Sequence, residues 1–169
     1  VLKYAGRMGA VILNDALKMA DLALAHGARL LTISTSEVYG QNPPDDKPQH
    51  EDICKVVPPK ITVRLEYGMG KLMTEIALLN RLKVEPALRV NFIRPFNIVG
   101  PFQNGEAGFV LPRFIEAALK NEPLTVFGDG SQKRTFTHVS DIVNAFAMLM
   151  DSDHNGKIYN VGNPKNLHS

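Results

Sequence analysis

Leu30-Leu31-Thr32-Ile33-Ser34-Thr35-Ser36-Glu37-Val38-Tyr39-Gly40 is the stretch on which the reading of this fold turns. Its first four residues are an apolar run without polar alternation, the pattern of a strand buried on both faces of a parallel sheet. Ser34 and Thr35 then stand at the strand's carboxyl end, where doubly wound sheets bind their ligands. Upstream, Ala10 to His26 carries Val11, Leu13, Leu17, Ala20 and Leu24 at helical spacing, and Gly27 is placed to end that helix. Downstream, Gln41 to Lys60 is broken by Pro43-Pro44, Pro48 and Pro58-Pro59 and predicts a loop, because proline has no amide proton for a helix or an inner strand.

Farther along, Arg64 to Leu82 predicts a helix with Leu65, Leu72, Ile76 and Leu79 on or near one face. Gly68 and Gly70 lie inside it, each at a cost of about 1 kcal/mol relative to alanine, so a ligand or neighbouring helix is expected to approach closely there. Strands are expected at Ala87 to Ile93 and Leu124 to Phe127, and helices at Phe109 to Lys120 and Asp141 to Met150, the last capped by Ser140 or Asp141. This alternation predicts an α/β fold: the back half of a Rossmann-like doubly wound parallel sheet, with part of a small substrate-binding lobe. Residues 1–169 read as one truncated domain, about 1–100 Rossmann and about 101–169 mixed lobe and returning Rossmann segments.

The 169 residues are 44% hydrophobic and 21% charged, ordinary globular values that argue against disorder. A net charge of +2, with no basic cluster interleaved with aromatics, speaks against a nucleic-acid surface. Cys54 is the single cysteine, which excludes an internal disulfide and a multi-cysteine zinc site and suits a reducing, cytoplasmic setting. No apolar run approaches the ~20 residues that span a bilayer. His26, His50, His138, His154 and His168 are not spaced as metal ligands, so no metal is expected, and no glycine-serine nucleophile elbow points to a hydrolase.

The chemistry concentrates in Glu66-Tyr67-Gly68-Met69-Gly70-Lys71. Residues at i and i+4 share a helix face, so the Lys71 ammonium can stand beside the Tyr67 phenol. A free tyrosine has a pKa of about 10, too high for efficient base catalysis near neutrality, and a fixed cation is the remedy. Plainer readings exist for each residue. Tyr67 could be a half-buried helix residue, Thr35 a hydroxyl capping its own backbone, Glu37 a solvated loop carboxylate, and Asn97 a turn former before Gly100-Pro101.

Taken together with Asn91-Phe92-Ile93-Arg94-Pro95-Phe96-Asn97-Ile98-Val99-Gly100-Pro101, Val126-Phe127-Gly128-Asp129-Gly130-Ser131-Gln132-Lys133-Arg134-Thr135-Phe136 and Tyr159-Asn160-Val161-Gly162-Asn163-Pro164, these motifs resemble the extended short-chain dehydrogenase/reductase family. Its members epimerise, dehydrate or decarboxylate nucleotide sugars with tightly held NAD. The resemblance implies that Thr35 hydrogen-bonds the sugar 4-hydroxyl, Tyr67 removes its proton, and Lys71 binds the nicotinamide ribose, with Ser34 and Phe96 also on the NAD side. It gives Ser36, Asn97, Arg134 and Phe127 to the substrate: Asn97 and Arg134 to its phosphates and Phe127 to its base. Arg113 is a weaker phosphate candidate, and Lys133 reads as a solvated charge. Many family 4,6-dehydratases carry aspartate then glutamate after the threonine. Here the pair is Ser36-Glu37, and Thr-Ser-Glu is similar to UDP-glucuronate decarboxylases and some other dehydratases. The resemblance further implies a UDP-sugar substrate and a homodimer formed through the helices near Ala10 to His26 and Tyr67. Family members open with a strand and a glycine-rich turn that cradle the pyrophosphate. Gly6-Arg7-Met8-Gly9 is no such turn, and the chain is expected to be an internal fragment.

Overall fold

A computed structural model describes residues 5–40, 49–52, 61, 63–105, 109–131 and 134–163. Helix α1 (Met8–Ala25) leads into strand β1 (Arg29–Ile33), followed by a single 3-10 turn at Ser36–Tyr39. Helix α2 (Val63–Val84) carries the chain to β2 (Arg89–Pro95) and the two-residue β3 (Ile98–Val99). Helix α3 (Val110–Leu119), the short β4 (Thr137–His138), α4 (Val139–Asp151) and β5 (Ile158–Val161) complete the order. Most of the expected loop at Gln41 to Lys60, with Cys54, lies outside the described residues, as does Lys133.

Three strands form a wholly parallel sheet in the order β1-β2-β5, and β3 pairs with β4 in a second parallel ladder. The expected α/β architecture is present. Parallel neighbours need a long crossover, which α2 supplies between β1 and β2. Successive strand residues face opposite sides, and Val90 and Phe92 of β2 join Leu88, Ala20 and Leu78 in the core. Leu17, Leu24, Leu79 and Leu82 pack around that centre, so α1 and α2 lie together on one face of the sheet.

The helix at Ala10 to His26 begins two residues earlier than expected and ends at Gly27 as expected. Gly27 adopts φ +59°, its N–H donates to Leu24 O, and Ala28 N–H donates to Ala23 O, a double bond pattern that satisfies the last carbonyls of α1. Gly70 is explained by α1. A Cβ there would lie 2.9 Å from the Cα of Gly9, so the two helices meet backbone to backbone.

Four expectations need correction. The strand buried on both faces is β2, whose Val90 to Arg94 are all buried, and not β1, where Ile33 is 45% exposed. β1 has β2 as its one strand neighbour among the described residues. The strand expected at Ala87 to Ile93 runs instead over Arg89–Pro95. Leu124 to Phe127 forms no strand; it has no ladder partner among the described residues, and Leu124, Val126 and Phe127 are exposed. Helix α4 starts at Val139 with His138 as its cap, because the imidazole Nδ1 accepts from Ser140 N at 3.3 Å and takes the role expected of Ser140 or Asp141.

Candidate active site

The carboxyl end of β1 and the first half of α2 meet at the proposed chemistry. Thr35 is buried, extended (φ -158°, ψ 149°), and is the N-cap of the 3-10 turn. Its Oγ1 accepts from Glu37 N at 3.3 Å, and the same hydroxyl is near enough to the Tyr67 phenol to draw its pKa down. Backbone capping and influence on Tyr67 are therefore both properties of one hydroxyl, which can accept and donate at once. Gly68 makes the meeting possible: a Cβ there would stand 3.4 Å from Glu37 O, so α2 rides directly on the turn that carries Glu37.

Lys71 Nζ donates to Ile33 O at 2.7 Å and lies 5.9 Å from the centroid of the Tyr67 ring. The two side chains share a face, as their spacing requires. The expected depression of the phenol is not found. Burial pushes Tyr67 above the ordinary tyrosine value, the Thr35 hydroxyl pulls it down, and the Glu37 carboxylate pushes it up. Lys71 is itself held below the usual lysine value by burial. Burial is the largest of these effects on the phenol, and the ammonium is engaged by the strand-end carbonyl of Ile33.

Ser34 is buried at the same strand end; its N–H donates to Ile93 O at 2.7 Å, and its Oγ has no hydrogen-bond partner among the described residues. Ser36 is half-buried and Glu37 exposed. Phe96 stacks on Tyr39 with centroids 6.2 Å apart, and a Cβ on Gly162 would lie 3.1 Å from the Cβ of Phe96. Asn97 adopts φ 31°, and its amide donates to Thr135 O at 2.9 Å, so the side chain brings the segment of Arg134 to the end of β2 rather than closing its own turn. Arg134 is exposed. Phe127 lies apart from these, 5.4 Å from the guanidinium of Arg113. Thus Thr35, Glu37, Tyr67 and Lys71 come together, Asn97 meets the chain beside Arg134, and Phe127 pairs with the weaker candidate Arg113.

A model of the family described as the NAD-dependent epimerase/dehydratase family matches residues 3–162. The chain belongs to this epimerase/dehydratase family. It is 43% identical over 149 residues to UDP-glucuronic acid decarboxylase 1 of Danio rerio, covering 88% of this chain and 34% of that protein. It is 40% identical over 141 residues to the UDP-N-acetyl-alpha-D-glucosaminuronate decarboxylase of Bacillus cytotoxicus, covering 83% of this chain and 42% of that one. Among solved structures it resembles the UDP-glucuronic acid 4-epimerase of Bacillus cereus in complex with UDP-glucuronic acid and NAD, with a TM-score of 0.75 at 26% identity, over 89% of this chain and 45% of that one. The chain spans less than half the length of these relatives. Within the epimerase/dehydratase fold, the sequence reading missed Tyr39, Glu75, Arg94 and Asn160, which form a buried polar cluster beneath the site. A signal was present: Arg94 interrupts an apolar strand, and Glu75 stands one helical turn beyond Lys71.

Proposed function

We propose that this chain carries the catalytic half of an NAD-dependent nucleotide-sugar enzyme that works through a 4-keto sugar, with UDP-glucuronate decarboxylation or UDP-sugar 4-epimerisation as its reaction. The observation that carries the proposal is the convergence of Tyr67 and Lys71 of α2 on the strand end and turn of Thr35 and Glu37, with Lys71 Nζ fixed to Ile33 O and Gly68 riding against Glu37 O. The fit to NAD rests on Ser34 Oγ, buried and unpartnered among the described residues at the strand end where the adjacent Ile33 carbonyl accepts from Lys71 Nζ. Ser34, Tyr67 and Lys71 would hold the nicotinamide ribose, and Phe96 would flank the ring. When bound, NAD supplies a hydride acceptor that makes the sugar C4 a ketone.

The chain's own residues handle protons and position. Tyr67 takes the 4-hydroxyl proton as general base in its ionised form, which burial disfavours and Thr35 favours, and Thr35 fixes that hydroxyl within reach. A C4 ketone makes the neighbouring C5 hydrogen acidic and accepts the electron pair released when a C6 carboxylate leaves as carbon dioxide. Glu37, exposed at the mouth of the site, is placed to manage the proton that C5 then takes up. Ser36 stands where a dehydratase of the aspartate-glutamate type would need its acid, which ranks 4,6-dehydration behind the other two. Asn97 and Arg134 would bind the nucleotide phosphates, a guanidinium's five donors being suited to them.

The test uses the protein at its natural length, incubated with UDP-glucuronate and followed by proton NMR. A UDP-pentose with released carbon dioxide indicates decarboxylation, and UDP-galacturonate indicates epimerisation. Tyr67→Phe should cut turnover by at least about 10²-fold. Undiminished turnover would remove Tyr67 from catalysis, and no turnover on UDP-glucuronate or UDP-hexoses would leave a non-catalytic binding module. A homodimer through α1 and α2 belongs to the same proposal, supported by the exposed Met69, Met73 and Ile76 of α2 and the exposed Val11, Met19 and Leu22 of α1.

A further inference from the structure

The proposed chemistry makes no use of Arg94 and Glu75, although both are buried, at 5% and 2% exposure. Their geometry is specific. Arg94 Nε and Nη2 donate to the two oxygens of Glu75 at 3.0 and 2.6 Å, while Nη1 donates to Tyr39 Oη at 2.7 Å and to Glu51 O at 3.1 Å. Tyr39 Oη donates in turn to Asn160 Oδ1 at 2.8 Å, and the guanidinium lies 4.9 Å from the Tyr39 ring centroid. Asn160 closes the cluster, its backbone N–H donating to Glu51 Oε1 at 2.8 Å and its amide to Gln49 O at 2.9 Å.

Burying an ion pair costs several kcal/mol per ion, and apolar residues of equal volume often serve stability as well or better. A cluster this directional therefore calls for a reason in geometry. Glu75 lies four residues beyond Lys71 and eight beyond Tyr67, on the same face of α2. Tyr39 ends the 3-10 turn whose cap is Thr35 and whose second residue is Glu37. Arg94 stands two residues before Phe96, the ring stacked on Tyr39. One guanidinium thus joins the helix that carries Tyr67 and Lys71 to the turn that carries Thr35 and Glu37.

We infer that the Arg94–Glu75–Tyr39–Asn160 cluster is a positioning device that holds the turn of Thr35 and Glu37 against the helix that carries Tyr67, where Gly68 meets Glu37 O. Its members touch neither substrate nor cofactor; they act through the turn. The inference rests on the reading of Tyr67 as the base, and its test has a readout that needs no turnover.

Tyr39→Phe keeps the ring and deletes only the hydroxyl that links Arg94 to Asn160. In natural-length protein labelled with ¹³Cζ-tyrosine, the Tyr67 signal is assigned by its loss in Tyr67→Phe. A turn loosened from α2 moves the Thr35 hydroxyl, whose presence favours the phenolate, away from Tyr67, so the ionised-to-neutral ratio of Tyr67 at pH 10 should fall about threefold in Tyr39→Phe. In the enzyme assay, kcat should fall by about tenfold with KM within about twofold, as for an interaction that matters in the transition state. Asn160→Ser, which leaves the Arg94–Glu75 pair whole, should move both readouts in the same direction by less, and it serves if Tyr39→Phe does not fold. Variants with lowered Tm but an unmoved Tyr67 ratio and parental kcat would overturn the inference and leave the cluster as packing alone. Failure of the parent to turn over any nucleotide sugar would sink the proposed function, while the Tyr67 titration would still decide whether the cluster sets the place of the Thr35 turn.

Discussion

Burial and two neighbours act on the Tyr67 phenol: burial and the Glu37 carboxylate push its pKa up, and the Thr35 hydroxyl pulls it down. The two side-chain effects have opposite signs, and so do the substitutions that remove them. Thr35→Val deletes the stabilising hydroxyl, and the phenol should ionise at higher pH than in the parent. Glu37→Gln deletes a repelling charge, and the phenol should ionise at lower pH. Titration of a ¹³Cζ-labelled Tyr67 reads both, and shifts of the same sign in the two variants would contradict the geometry. In turnover, Thr35→Val should lose about 10²-fold in kcat, toward the low end for a group engaged in proton transfer, while Thr35→Ser should keep most of the rate. This part of the site was only half legible in the sequence. Spacing put Tyr67 and Lys71 on one face, because helical geometry is fixed by residue number. It could not say that the Lys71 ammonium turns to Ile33 O, since a side chain with four rotatable bonds chooses its direction from partners that are distant in sequence.

Helices α1 and α2 show how one element fixes another. Gly9 and Gly70 touch across their interface, so Gly70→Ala sets a methyl group 2.9 Å from a backbone carbon that cannot move aside alone. Alanine would gain about 1 kcal/mol in helix propensity, but overpacking of this kind costs about 1–3 kcal/mol, and the net outcome expected is a lower Tm by thermal denaturation. Gly68→Ala meets Glu37 O at the more tolerable 3.4 Å; its larger effect should be on kcat, through displacement of the turn beside Tyr67. The need for close approach was readable from two glycines in a helix, and the identity of the neighbours was not. Glu66 was not read at all. Its carboxylate accepts from Gly6 N at 2.8 Å and Gly9 N at 3.1 Å, tying the start of α2 to the amino end of α1, and these backbone bonds hold its pKa below the usual glutamate value. A carboxyl group lowered in the folded state stabilises above its unfolded pKa, and that contribution is lost as pH falls through the folded value. Between about pH 5 and 3 the parent should therefore lose more Tm than Glu66→Gln, whose amide does not titrate over that range. Equal losses would show that the carboxylate contributes nothing to the helix pair. The strand at Leu124 to Phe127 failed for the converse reason: a short apolar run signals burial against something, and a strand further requires a paired edge.

For the molecule as a whole, the α/β class was legible because the apolar runs at Leu30 to Ile33 and Ala87 to Ile93 alternate with helical periods, whereas β3, β4, β5 and the order β1-β2-β5 were not, since pairing partners are distant in sequence. What covers its outer faces was not, because period alone cannot separate a helix side turned to the core from one turned to another chain. Met69, Met73 and Ile76 follow one another at i, i+4 and i+7 along α2 and are 37%, 47% and 45% exposed, while Val11, Met19 and Leu22 expose a second row on α1. Both helices bury their other faces on the same side of the sheet, so the two rows belong to one packed helix pair. Two such pairs meeting about a two-fold axis would form a four-helix contact in which each row packs against its own symmetry mate, the self-complementary arrangement that a two-fold interface requires. Met73 sits near the middle of the α2 row, and Met73→Glu would bring a pair of like charges into the buried centre. By light scattering at micromolar concentration, the natural-length parent should be a dimer and Met73→Glu a monomer, with the parent's Tm rising with concentration and the variant's constant. Tyr67 lies two residues from Met69, so loss of the partner should also lower kcat by loosening the helix that carries the base. A monomeric parent would mean that these rows face another part of the same protein, and a dimer unaffected by Met73→Glu would move the interface off α2.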